Sequence, residues 1–161
     1  MNKIYRITIR PIGTVRNSIR KPRRDGWEKI SSRIILDPKL QEGLDGIEAY
    51  SHIFVLFWID RLNPSMKGIK KVHPKSRMDL PLVGVFATRT QYRPNPIGLT
   101  LVRMLGRKKN VIWVKGLDAL DGTPVIDLKP ISPRTEFPSR TRVPAWYHRI
   151  WESRRDASKE K

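Results

Sequence analysis

Apolar residues recur along this chain in short runs broken by charged or turn-forming residues, the spacing of strands rather than of long helices. Ile4, Ile7, Ile9 and Ile12, followed by Gly13 and Val15, predict an opening strand with a bend. Arg16 to Asp25 (RNSIRKPRRD) is polar and carries Pro22, so it predicts an exposed loop long enough to hold a function. Arg33 to Leu36 predicts the next strand. Pro38 to Leu44 predicts one helical turn, with Asp37 as its N-cap and Asp45-Gly46 as its end. Ser51 to Trp58 predicts a central strand, and the unbroken apolar stretch Ile53 to Ile59 predicts burial on both of its faces.

Arg61 to Leu80 contains Pro64, Gly68 and Pro74 and few apolar residues, which predicts a second long loop. Four β-rich runs follow: Leu82 to Thr88, Leu99 to Leu105, Val111 to Leu117 and Thr123 to Leu128, with Lys109-Asn110 and Asp121-Gly122 as hairpin turns. From Pro144, the spacing of Trp146, Tyr147, Ile150 and Trp151 predicts a short amphipathic helix, and Glu152 to Lys161 predict a frayed end. Evenly spaced short strands without an internal repeat favour a mainly β chain closed into a small antiparallel barrel with short helical additions. Residues 1–145 are expected to form the barrel domain and residues 146–161 a short helical or frayed tail.

Charge changes the picture more than any other property of the composition. The 161 residues include 33 Lys and Arg against 15 Asp and Glu, a formal charge of +18. Met1 to Arg24 holds eight of the basic residues and no acidic one. Such an excess concentrates anions around the molecule and points to a polyanionic partner, a phosphate backbone foremost; a densely charged solvated surface is the alternative. The N-terminus has no apolar leader core, and the longest apolar stretch is far below the ~20 residues that span a bilayer, so a cytoplasmic protein without a membrane partner is expected.

Several chemistries lack their residues. The chain has no cysteine, which excludes disulfides and thiolate chemistry. No G-x-G-x-x-G or G-x-x-x-x-G-K-[ST] occurs, and His52, His73 and His148 lack metal-ligand spacing, so no metal site is expected. Ser51-His52 has no nucleophile-elbow context, which leaves a hydrolase unsupported.

The most informative segment is Val83 to Val102 (VGVFATRTQYRPNPIGLTLV), where one apolar run passes through a polar segment into another. In Arg93-Pro94-Asn95-Pro96 the two prolines fix φ at alternate positions and bias Arg93 and Asn95 toward extended geometry. Either a rigid corner or a preorganised ligand loop follows. Gly98 permits close approach by another group.

This segment resembles the signature of the TsaA-like family, which includes the TrmO-type tRNA methyltransferases. Gly43 to Phe57 (GLDGIEAYSHIFVLF) and Leu117 to Pro130 (LDALDGTPVIDLKP) agree with the same family in order and spacing. The resemblance implies a dimeric antiparallel β-barrel that binds S-adenosylmethionine near the subunit boundary and methylates N6-threonylcarbamoyladenosine at position 37 of tRNA. By motif it assigns cofactor contacts to Pro22, Arg23 and Arg24, to Asp60 and Arg61, to Arg89, to Leu99, and to Asp118, Ala119, Leu120 and Asp121. Bacterial members carry a Pro-Arg-Gln-like loop and a His-Gln-like pair at the first two places. They also continue into a C-terminal domain, so the basic surface here is expected to grip the RNA.

The residue types suit that chemistry. Arg89 matches the carboxylate of S-adenosylmethionine, Asp118 or Asp121 its ribose hydroxyls, and Leu99 its adenine, while a turn role for Asp121 before Gly122 stays open. Arg93 matches the threonyl carboxylate of the modified base, with Asn95 beside it, and Arg20 and Lys21 match RNA phosphates. No residue stands out as the catalytic base; a carboxylate or water would serve. Two other functions fit the same residues: an S-adenosylmethionine-dependent methyltransferase of another substrate, and a non-catalytic nucleic-acid-binding barrel.

Overall fold

The computed structural model describes residues 6–150, which divide into two compact units. The first comprises the chain up to Arg61 together with Ile97–Ser132, and the second comprises Leu62–Pro96 and the chain from Pro133 onward.

Six strands of the first unit close into a barrel: β1 (Gly13–Arg16), β2 (Ser31–Leu36), β3 (His52–Trp58), β6 (Ile97–Lys108), β7 (Val111–Lys115) and β8 (Pro124–Pro130). Their order around the barrel is β1-β2-β7-β6-β3-β8, with every pairing antiparallel and β1 meeting β8 through Gly13↔Val125 and Thr14↔Pro124. Closure removes the two free edges of an open sheet and creates one interior. Alternate residues fill it: Val15, Ile34, Ile53, Val55, Val102, Ile112, Val114 and Val125 are each at most 1% exposed.

The mainly β closed barrel expected from the spacing of apolar runs is therefore what forms, with four corrections. β3 is buried on one face only, Ile53, Val55 and Phe57 pointing in while Phe54, Leu56 and Trp58 are half-buried. A barrel has a single interior, so an unbroken apolar run must place half its side chains outside. The opening strand is shorter than expected: residues 6–12 take no regular structure, Ile7 and Ile9 are exposed, and Ile4 lies outside the described residues. Leu82 to Thr88 is not a continuous strand but the two-residue β5 (Val83–Gly84) running into a 3₁₀ turn (Val85–Ala87), which the Thr88 amide and hydroxyl close on the Val85 carbonyl and to which Arg93 also donates, at the carbonyls of Val85 and Thr88. Asp121-Gly122 does form a turn, with Gly122 at φ 85°, but β7 and β8 are not neighbours, so it is no hairpin. Lys109-Asn110 does join the adjacent β6 and β7.

At one end of the barrel lie the connections from β2 to β3 and from β6 to β7. The first carries the expected turn at Pro38–Leu44, of 3₁₀ form, with the Asp37 carboxylate accepting from the Lys39 amide at 3.0 Å. Arg107 on β6 pins this connection, donating to the carbonyls of Gln41 and Leu44 and pairing with Asp45 at 2.9 Å. At the opposite end lie the β1–β2 loop, the β7–β8 crossover, the exit of β3 and the entry of β6. Leu117 and Ala119 of the crossover are buried and join the core.

In the second unit, β4 (Lys71–Val72) pairs with β5, a pair inside and just after the expected 61–80 loop. α1 (Pro133–Glu136) is a single turn, and residues 145–150 are helical, as expected from Trp146, Tyr147 and Ile150. Trp151 and the frayed end expected over residues 152–161 lie outside the described residues. Among the described residues no helix is long and apolar enough to cross a membrane.

Gly98 permits close approach, and the group that approaches is the Phe57 ring, 2.3 Å from where a Cβ would stand. Both residues face the interior as a directly opposed pair of β3 and β6. Gly98→Ala is expected to destabilise the protein by about 1–3 kcal/mol through overpacking. Gly43→Ala, which meets nothing within 4 Å, is its control. Thermal unfolding of the two variants reads the difference, and equal midpoints would remove the Phe57 contact as the reason for Gly98.

Candidate functional site

The antiparallel order brings three separate stretches to one end of the barrel. β1 ends at Arg16 and β2 begins at Ser31, β7 ends at Lys115 and β8 begins at Pro124, and β3 ends at Trp58 opposite Ile97, where β6 begins. Every assigned residue of the first unit therefore belongs to this end: Arg20, Lys21, Pro22, Arg23, Arg24, Asp60, Arg61, Leu99 and Asp118 to Asp121.

Asp121 ties the stretches together. Its carboxylate accepts from the Asn17 amide at 3.1 Å and faces Arg16 and Arg20 at 3.8 and 3.7 Å. Its own amide donates to the Ile19 carbonyl at 2.7 Å, and its carbonyl accepts from Arg61 at 2.6 Å. With a side chain only 13% exposed, Asp121 braces the site instead of reaching outward, which gives weight to its turn role. Ala119 is buried and its carbonyl accepts from Asn17, so it too acts through its backbone. Asp118 is exposed at this end and accepts from the Thr100 hydroxyl, next to Leu99.

The β1–β2 loop carries the concentrated cations. Pro22 and Arg24 are exposed, as are Arg20 and Lys21. Arg23 folds back, donating to the Asp25 carbonyl at 2.6 Å and lying 5.9 Å from the centre of the Trp27 ring, whose indole N–H donates to the Arg23 carbonyl. Arg23 thus shapes the loop that presents its neighbours. Asp60 pairs with Arg61 at 3.4 Å.

Arg89, Arg93 and Asn95 belong to the second unit. Arg89 and Asn95 are exposed, whereas Arg93 is half-buried, with one guanidinium nitrogen bonded to the carbonyls of Val85 and Thr88 and its carbon 5.3 Å from the Phe86 ring centre. The Arg-Pro-Asn-Pro segment is therefore held as a rigid corner through Arg93 itself. Also in this unit, the hydrogen bond from Arg77 holds the Asp79 carboxyl below its ordinary range.

Sequence reasoning missed Asn17, Ser31, Arg33 and Trp113, which line a pocket of about 470 Å³ with Arg16, Arg20 and Asp121. The available signal was alternation: Ser31 and Arg33 sit between the buried Ser32, Ile34 and Leu36, and Trp113 sits between the buried Ile112 and Val114, so all three had to face outward. Among the described residues no group of three or more acidic or histidine side chains is placed to hold a metal.

The chain compares with longer and shorter proteins alike. A probable S-adenosyl-L-methionine-binding protein of Methanothermobacter thermautotrophicus is 41% identical over 77% of this chain and 89% of its own length. The mouse tRNA (adenine(37)-N6)-methyltransferase is 34% identical over 76% of this chain, which spans only 27% of the mouse protein. Another archaeal relative, from Archaeoglobus fulgidus, is spanned over 38% of its length. The crystal structure of TrmO from Pseudomonas aeruginosa superposes with a TM-score of 0.69 at 30% identity, covering 88% of this chain and 63% of that one. The barrel from Val15 onward, the loops gathered at its end and the Arg-Pro-Asn-Pro corner all fall within residues 15–137, which match the model of the tRNA-methyltransferase O N-terminal domain, and the chain belongs to that family.

Proposed function

We propose that this protein binds S-adenosylmethionine at the loop-bearing end of the barrel and methylates N6-threonylcarbamoyladenosine at position 37 of tRNA, as a cytoplasmic homodimer. The observation that carries the reading is the gathering of Asp118, Leu99, Asp60, Arg61 and the basic β1–β2 loop at one barrel end through the Asp121 brace. The Methanothermobacter relative, named for S-adenosylmethionine binding, is matched over nearly its whole length, which supports a cofactor site within a chain of this size. The mouse relative, named for tRNA adenine methylation, supports the substrate.

The donor set fits the cofactor. Asp118 presents an exposed carboxylate for ribose hydroxyls and Leu99 is 44% exposed as an apolar contact for adenine, while the family motif assigns the amino-acid carboxylate to Arg89. Arg61 is tied to the Asp121 carbonyl and positions the crossover that carries Asp118. Bound there, S-adenosylmethionine supplies a methyl group on a sulfonium sulfur, open to in-line displacement. The protein's share is alignment: braced loops hold donor and acceptor in reach, and such preorganisation supplies much of the acceleration in a bimolecular transfer. In that transfer the acceptor nitrogen would form the N–C bond as the S–C bond breaks and the neutral thioether leaves, and its proton would pass to a carboxylate or to water.

The outer side of β3 and β6 supports the homodimer. Phe54 faces Leu101, Leu56 faces Leu99 and Trp58 faces Ile97, an apolar patch in which Ile97 and Leu99 are 36% and 44% exposed. Leu99 would then stand at the subunit boundary and contact the cofactor there.

Three outcomes are expected. S-adenosylmethionine or its demethylated product raises the melting temperature with concentration, less so in Arg89→Ala, and tritium passes from labelled cofactor to tRNA bearing the threonylcarbamoyl group. Transfer to metabolites but not tRNA would move the activity to another substrate, and no thermal shift at millimolar ligand would oppose any methyltransferase. Light scattering is expected to give a dimer; a monomer at assay concentration would sink the shared site. Replacing Arg20, Lys21 and Arg24 together with Ala is expected to weaken all tRNAs alike and flatten the salt dependence of affinity by up to about 2–3 log units per log unit of salt. Unchanged affinity and slope would show that loop to be merely solvated.

A further inference from the structure

The four consecutive barrel strands β1, β2, β7 and β6 contain not one acidic residue. On their outer side they carry Arg16, Arg33, Lys115 and Arg103, all exposed, in two adjacent cross-strand rows. Arg16 faces Arg33 and Arg33 faces Trp113; Ser31 faces Lys115 and Lys115 faces Arg103. Trp113 is half-buried at the centre of this field.

An outward tryptophan with a guanidinium-bearing residue directly across one strand pairing and a glycine across the other presents an aromatic surface beside positive charge. Directly opposed side chains stand about 4.5–5.5 Å apart at Cβ, so Arg33 borders the indole on one side. On the other side, the partner of Trp113 is Gly106, at a register shift in β6. Gly106 has no side chain, and a Cβ built on it meets nothing within 4 Å. A bulge and a glycine therefore leave open space beside an indole that Arg33 opposes directly across the strands, with Lys115 two residues further along β7 on the same face. The pocket that Trp113 lines with Arg33 and Arg16 runs on to Asp121 at the loop-bearing end. Asp121 is its single carboxylate, and Arg16 and Arg20 face it, so the pocket remains cationic.

Planar aromatic surface, room for a second ring and spaced cations together fit an unpaired nucleotide strand, with bases stacked and phosphates neutralised. A duplex presents its phosphates but keeps its base faces covered, so it would leave the indole and the adjoining space unused. We propose that the outer face of β1, β2, β7 and the bulged part of β6 binds single-stranded RNA, with Trp113 as the stacking platform and Arg33 and Lys115 as phosphate contacts. The inference rests on the RNA half of the proposed function and not on its methyl-transfer half.

The test uses the full chain without cofactor and a fluorescent oligouridine of about 12 nucleotides, within the span of one small β-barrel. A duplex RNA of equal length is titrated in parallel, and anisotropy is read across a salt series. Trp113→Ala is expected to weaken oligouridine binding by roughly 5- to 150-fold, the loss of about one stacked base, and to leave the duplex and the salt slope nearly unchanged. Trp113→Phe is expected to keep much of the affinity, because a ring remains. Arg33→Ala with Lys115→Ala is expected to flatten the slope by about 1.4, two phosphates of a single strand. If Trp113→Ala does not fold, Trp113→Phe and the double variant decide. Unchanged oligouridine binding by Trp113→Ala, equal loss for both RNAs, or an unchanged slope in the double variant overturns the proposal. Because no cofactor is present, an absence of methyl transfer leaves this result standing. Conversely, tRNA methylation that ignores Trp113 would overturn the track and leave the methyltransferase.

Discussion

Closure of the barrel through the short pairing of β1 with β8 is the constraint on which the rest of the first unit depends. Two opposed residue pairs complete the ring, and with the ring closed, six strands share one interior that thirteen buried side chains occupy. Antiparallel order then dictates that the β1–β2 loop, the β7–β8 crossover, the exit of β3 and the entry of β6 all lie at the same end. No individual contact gathers these loops. They meet because the strands beneath them cannot be arranged otherwise, and Asp121 fixes what closure has already brought near.

Closure also explains the burial pattern of the most apolar segment. Ile53 to Ile59 would be covered on both faces in a parallel sheet flanked by helices, but in a barrel its alternate residues remain outside. Phe54, Leu56 and Trp58 are only half-buried for that reason, and the apolar surface they extend with Leu99 and Leu101 is a consequence of topology meeting sequence. Gly98 belongs to the same accounting on the inner side. The Phe57 ring fills the space where a side chain would have been, so the strand that closes the signature segment is shaped by core packing before any ligand is considered.

What could be read in advance follows from the range of the interactions involved. Strand positions, the Asp37 cap and the Lys109-Asn110 turn are decided within a few residues, and alternation and turn chemistry reported them. The interactions that organise the site link residues far apart in sequence: Asn17 with Ala119, Arg61 with Asp121, Thr100 with Asp118. None leaves a local pattern, so Asp121 could be read only as a ligand or a turn residue, and Asn17 not at all. Val83–Gly84 shows the converse limit, since its β-rich neighbours are turned by Thr88 bonding back to Val85 and held by Arg93, five and eight residues along the chain from the carbonyls it reaches. Trp113 lay within reach of local reasoning, because a tryptophan between two buried residues of a barrel strand has to face outward.

The arrangement of charge completes the physical picture. With 15 acidic residues against 33 basic, the protein places many of its carboxylates in local anchoring roles. Asp37 caps a turn, Asp45 and Glu48 hold Arg107, Asp79 engages Arg77 and Arg149, Asp121 braces the loops, and Asp127 pairs with Lys129. Exposed pairs of this kind contribute little stability each, about 0–1 kcal/mol, so their larger effect is on where uncompensated charge remains. Carboxylates are absent from the sequences of β1, β2, β7 and β6, so the cations Arg33, Lys115 and Arg103 oppose no acidic residue across those strands. A surface on which cations predominate raises the encounter rate with any polyanion. The closed barrel thus does two things with one topology: it gathers the loops at one end, and it sets the acid-free strands side by side.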